Sequence, residues 1–138
     1  MLNVKLEKTK GKYVTITAVN TVTFTTHENR VKNKIDLSFS DEYGRMYRAS
    51  DVWTKNRGIK PLYCFNNNSV QETETLGQLL VFLNVNSTSE LVGKRIYVYP
   101  DQKNFLVPVC FDEKLVQYIC NDHILTTENV VSQVGSSQ

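Results

Sequence analysis

A chain of 138 residues is long enough for one domain with its own core and too short for two comfortable ones. Its hydrophobic share of 41% and charged share of 22% exclude wholesale disorder, and its longest apolar run, Leu79 to Leu83, is far too short to span a bilayer. The net charge is only +2, but residues 28–60 carry eight Lys or Arg against five acids, whereas 70–90 hold Glu72, Glu74 and Glu90 with no base.

The opening residues alternate in charge and contain no apolar h-region, so no secretory signal is read there and a cytoplasmic location is expected. From Tyr13 to Thr25 nearly every residue is β-branched or aromatic. Val14, Ile16 and Ala18 fall on one face and Thr15 and Thr17 on the other, the period of a strand. A bend or bulge is expected at Asn20-Thr21, after which Val22 and Phe24 resume the apolar face. Glu28 to Lys34 reads as a polar, basic turn. Ile35, Leu37 and Phe39 then alternate with Asp36, Ser38 and Ser40 as a second strand. Asp41-Glu42-Tyr43-Gly44 supplies a hairpin turn, with Gly44 suited to positive φ.

A third strand runs from Arg45 to about Trp53, followed by a basic connection through Gly58 and an extended stretch from Ile59 to Phe65. Leu76, Leu79, Leu80 and Leu83 sit at helical spacing within 73–85, and Thr73 is the expected N-cap. Gly77 weakens that helix by about 1 kcal/mol relative to Ala. Lys94 to Tyr99 alternates as a fourth strand, 100–104 is a turn, and Phe105 to Phe111 is the fifth strand. Asp112 caps a short helix from Glu113 to Cys120, and beyond 125 a polar tail is expected.

Three strands, a helix and two strands is the element order of the five-stranded Greek-key OB barrel. The fold class expected is therefore mainly β, one OB-like domain over residues 1–125 with a tail over 126–138. Cys64, Cys110 and Cys120 form no CxxC pair and are odd in number, so they read as free thiols, and His27 and His123 do not complete a zinc site. Asp36, Asp41, Glu42 and Asp51 form the densest acidic group and read as solvated acids at turns. No phosphate loop, zinc-protease or nucleophile-elbow motif is present, and no enzymatic activity, cofactor, metal or small-molecule substrate is expected.

When Ile96 and Val98 face inward, Arg95, Tyr97 and Tyr99 share the opposite face. On the third strand Arg45, Tyr47 and Trp53 share parity, with Met46 and Val52 on the other side. Single-stranded nucleic acid asks for this combination, since bases stack on rings and cations track phosphates. Lys55 and Arg57 follow Trp53 and are placed to clamp a backbone, and Arg30, Lys32 and Lys34 do the same from the preceding turn. Tyr43 at the hairpin tip and Arg48 complete the candidate set. Competing placements stay open: Trp53 closing the barrel's end, Tyr47 in the core with Met46, Arg48 and Ser50 outward, and Tyr97 and Tyr99 covered by the C-terminal helix or a second subunit.

The hairpin, the leucine-rich helix and the strand opening Leu91-Val92-Gly93-Lys94 before Arg95-Ile96-Tyr97-Val98-Tyr99 resemble small phage-encoded single-stranded DNA-binding proteins. The resemblance spans residues 12–111 and departs at the tail, which ends Val134-Gly135-Ser136-Ser137-Gln138 where the family's acidic, apolar tip is expected. It implies an OB fold, binding of single strands in phage replication or recombination, and often a dimer. The sequence thus predicts a non-catalytic protein binding single-stranded DNA, or RNA, with little base preference. The rival is a structural or adaptor protein using the same face for protein contact.

Overall fold

The computed structural model describes residues 10–116 apart from Asn56, Asn67 and Leu115. The expected boundary at residue 125, the tail, Cys120 and His123 lie outside the described residues. So does the predicted helix Glu113–Cys120 except for Glu113, Lys114 and Val116, which are helical.

The chain is mainly β and forms a nearly closed, OB-like antiparallel barrel. Its strands are β1 (Lys12–Thr25), β2 (Val31–Ser40), β3 (Met46–Ala49), β4 (Asp51–Thr54), β5 (Gly58–Pro61), β6 (Tyr63–Cys64), β7 (Arg95–Pro100) and β8 (Leu106–Pro108). Between β6 and β7 come the helix α1 (Thr75–Phe82) and a short 3-10 turn over Thr88–Leu91. The ladder runs β3-β2-β1-β7-β8, β6 adds to β2, and β4 pairs with β5. A parallel bridge between Trp53 and Val109 brings β4 alongside the end of β8 and closes the circuit. The expected third strand is thus β3 and β4 in succession, interrupted at Ser50, whose carbonyl accepts from the Leu62 N–H instead.

β1 serves two neighbours because it is bulged. Lys12–Thr15 pair with Val98–Arg95 of β7, while the register with β2 shifts between Ile16 and Ala18. One extra residue inverts the alternation that follows it. Val19, rather than Ala18, therefore packs on the core, and Val22 and Phe24 point outward with 52% and 43% of their surface exposed. The expectation that they rejoin the apolar face at an Asn20-Thr21 bend is corrected: the bulge lies earlier.

The core is closed by Ile16, Ile35, Leu37, Phe39, Leu62, Leu91, Ile96 and Val98, with Leu76, Leu79 and Leu80 of α1 laid on it. Each such side chain contributes about 2 kcal/mol through burial. Thr73 does not cap α1. The N-cap residue is Glu74, whose carboxylate bonds the Phe65 N–H (2.6 Å) and the Gln71 N–H (2.8 Å), tying the end of β6 to the loop before the helix.

Candidate nucleic-acid interface

The expected ring-bearing face of β7 exists as a parity but not as a surface. Tyr97 and Tyr99 lie opposite Ile96 and Val98 as predicted, yet they are 9% and 7% exposed. With Trp53, Val107, Val109, Phe111 and Val116 they form a second hydrophobic cluster on the other side of the sheet. Trp53 donates its indole N–H to the Tyr99 carbonyl at 3.0 Å and meets the Tyr99 ring edge-on. Strands covered on both sides read as continuous apolar runs, and 96–99 with 106–109 is such a run. Trp53, Tyr97 and Tyr99 are therefore corrected from exposed stacking platforms to members of a buried cluster. The Cys110 thiol, pushed up to about 11 by burial, bonds the Trp53 carbonyl beside it.

Tyr47 is also corrected. Phe39 pairs with Tyr47 across β2 and β3, and the two rings stack at 5.8 Å on the inner face, leaving Met46 and Arg48 outward. Its hydroxyl enters a clasp with Lys12 and Asp41. The Lys12 ammonium donates to Asp41 Oδ2 (2.9 Å) and to Tyr47 Oη (2.8 Å), and Tyr47 donates to the same carboxylate at 3.1 Å. The N–H groups of Tyr43 and Arg45 donate to Asp41 Oδ1, fixing the hairpin tip. The Lys12 ammonium first, and then the Arg45 N–H, the Tyr47 hydroxyl and the Tyr43 N–H, hold the Asp41 carboxyl well below the usual carboxylate range against the opposing effect of burial.

A depressed folded-state pKa contributes stability that is complete above the unfolded value, about 3.9 for Asp, and is lost as pH falls below it. Thermal melts between pH 6 and pH 2 (roughly the window in which unfolded carboxylates protonate) are expected to show a steeper acid loss for the wild type than for Asp41→Asn. Equal pH slopes would remove this role from Asp41.

The remaining sequence candidates are exposed but dispersed. Tyr43, 77% exposed, has the Arg45 guanidinium 5.8 Å from its ring centre at the hairpin tip. Arg48 lies 3.6 Å from Asp36, which also accepts from the Ser50 hydroxyl. Lys55 and Arg57 lie exposed around the β4–β5 turn, and Arg95 sits over Tyr13 at 5.1 Å. They do not form one face with Trp53, Tyr97 and Tyr99.

Rings and cations do meet elsewhere, on the outer face of β2. Direct cross-strand partners share a face, and β2 pairs Lys34 with Val22 and Lys32 with Phe24 on one side and Lys34 with Tyr63 on the other. The opposite face is identified by the Thr23 hydroxyl donating to Asn33 Oδ1 at 2.8 Å. Lys32 lies over the Tyr63 ring at 4.2 Å and Arg30 over the Phe65 ring at 3.8 Å, while Tyr63 and Phe65 meet edge to face at 5.4 Å. Such exposed cation–π contacts are worth about 0.5–1 kcal/mol, little enough for the cations to turn to a phosphate. The acid in this row, Asp36, is already matched by Arg48. A strip of three rings and three cations results: Phe24, Tyr63 and Phe65 beside Arg30, Lys32 and Lys34.

No family model, curated protein or solved structure matches the chain. Arg30, Lys32 and Lys34, expected from the sequence to clamp a backbone from a turn, lie on this strip, where residues from Val31 onward are strand rather than turn; the sequence does not single out Phe24, Tyr63 and Phe65. Bases at positions 30, 32 and 34 carry the period-two signal of a strand face. Among the described residues, no group of three or more His, Cys, Asp or Glu is placed to hold a metal ion, and no helix is long and apolar enough to cross a membrane.

Proposed function

We propose that this protein binds single-stranded DNA along the outer face of β2, with Tyr63, Phe65 and Phe24 as stacking surfaces and Arg30, Lys32 and Lys34 as phosphate partners. The observation that carries the reading is the interleaving of those rings and cations on the exposed side of strand 2, the side that OB folds use for oligonucleotides. Stacking serves every base and the cations serve every phosphate, so the mode suits binding along a strand rather than recognition of a duplex. A role in phage replication or recombination in the host cytoplasm, and the dimeric state that the resemblance implies, belong to the same proposal.

Anisotropy titrations of labelled dT oligonucleotides over a range of salt test it. The logarithm of the affinity falls with that of salt by about 0.7 per phosphate contact on single strands. Lys32→Gln combined with Lys34→Gln is therefore expected to flatten the slope by about 1.4. Failure of the wild type to bind at low salt would overturn the proposal, and an unchanged slope would remove the two lysines from the interface. RNA and duplex competitors establish the nucleic acid preferred.

Val22 and Phe24 support a second reading, in which the face docks a protein partner. Such a contact survives salt that strips nucleic acid.

A further inference from the structure

Where the strip meets the loop before α1, it opens into a cleft of about 390 Å3. Tyr63, Phe65, Arg30, Asn66 and Gln71 are among the residues that line it. We infer that this cleft receives one nucleobase of the bound strand and gives the protein a base preference, an inference that rests on the single-stranded DNA reading. This departs from the indifference to base that the sequence predicts.

Three features carry it. The first is size and lining. At the low end of the range for ligand pockets, two rings set among polar side chains suit a single planar heterocycle rather than a larger ligand. The second is the hydrogen-bonding character of its amides. Asn66 Oδ1 accepts the Asn68 N–H at 2.9 Å, which orients the amide and leaves its NH2 as a donor without a partner among the described residues. Gln71 Nε2 donates to the Ser69 carbonyl and hydroxyl, both at 3.3 Å, leaving Oε1 as an acceptor. Asn66 and Gln71 therefore offer the cleft one amide donor and one amide acceptor. Amino bases and keto bases offer donor and acceptor in opposite order along their pairing edges, so a fixed pair favours one class over the other.

The third feature is rigidity. A single carboxylate, Glu74, bonds the backbone at Phe65 and at Gln71, so these two lining residues keep their spacing before any strand arrives. Discrimination needs such preorganisation, because a cleft that relaxes around each base reads none of them.

Equal-length dA, dC and dT homopolymers and a strand of abasic residues are titrated against the wild type and against Asn66→Ala combined with Gln71→Ala. Homopolymers differ in their own stacking, so the comparison between proteins is the readout. Two base-edge hydrogen bonds are expected to give the wild type about a tenfold spread beyond that of the variant. The variant should bind the least favoured homopolymer as the wild type does. If the spread is the same in both proteins while all homopolymers bind with the same salt dependence, the cleft reads no base and the inference falls, leaving the interface in place. If no strand binds either protein, the single-stranded DNA reading itself fails and takes the inference with it. Affinity for the abasic strand equal to that for the homopolymers would also overturn it.

Discussion

Phe65→Ala is expected to weaken binding of single-stranded DNA by roughly 5- to 150-fold, the loss that follows from removing about 1–3 kcal/mol of base stacking. Phe65 joins the strip to the cleft: its ring lies under Arg30, edge to face with Tyr63, and lines the cleft before α1. The position is well suited to a clean test. The ring is only half-buried, and the backbone N–H is held by Glu74 whatever the side chain, so the loop keeps its anchor in the variant. Circular dichroism and the melting temperature should change little while anisotropy titrations shift strongly. An affinity within about twofold of the wild type, less than the smallest stacking increment, would show that no base stacks at this ring.

Gly77→Ala is expected to destabilise the fold by about 3 kcal/mol, the upper part of the range for overpacking. Helix propensity alone predicts the reverse, a gain of up to about 1 kcal/mol for Ala over Gly, so the sign of the change decides which effect rules. A Cβ at Gly77 would stand 1.9 Å from the Gln71 carbonyl oxygen, 2.7 Å from its carbon and 3.0 Å from Glu72 Cα. All three are backbone atoms and none can swing aside as a flexible side chain does. The helix must lift from the 71–72 segment, loosening Leu76 and Leu79 in the core and the loop that Glu74 ties to Phe65. Urea denaturation measures the change. A variant as stable as the wild type or more so would mean that the helix is not pressed against that segment.

Gly77 also illustrates how far the residues could be read. The leucine spacing placed the helix, and Ile35, Leu37 and Phe39 placed the second strand, because one face of each is buried and the period is unambiguous. The barrel order followed from those elements. β1 behaved differently. Ile16, Thr17, Ala18 and Val19 are all acceptable on either side of a strand, so a one-residue bulge among them leaves no mark, yet it decides that Phe24 faces outward. The register of β3 was equally silent. It is set by Tyr47 reaching the Lys12–Asp41 pair, a contact between residues 35 positions apart. On β7 the alternation of Ile96 and Val98 with Tyr97 and Tyr99 gave the right parity, but which face stays wet depends on Phe111 and Val116 arriving from beyond the barrel. Tyr63 and Phe65 were passed over because two paired residues of β6 are too short a strand to show a period.

The second cluster has a spectroscopic consequence. The chain has one tryptophan, and its indole belongs to the cluster with Tyr99, Val109 and Ile59 rather than to the strip on β2. Its emission is expected to be that of a ring shielded from water and to report the closure of β4 onto β8. Ligand titrations need an extrinsic dye, whereas intrinsic emission gives an undisturbed view of the barrel opening.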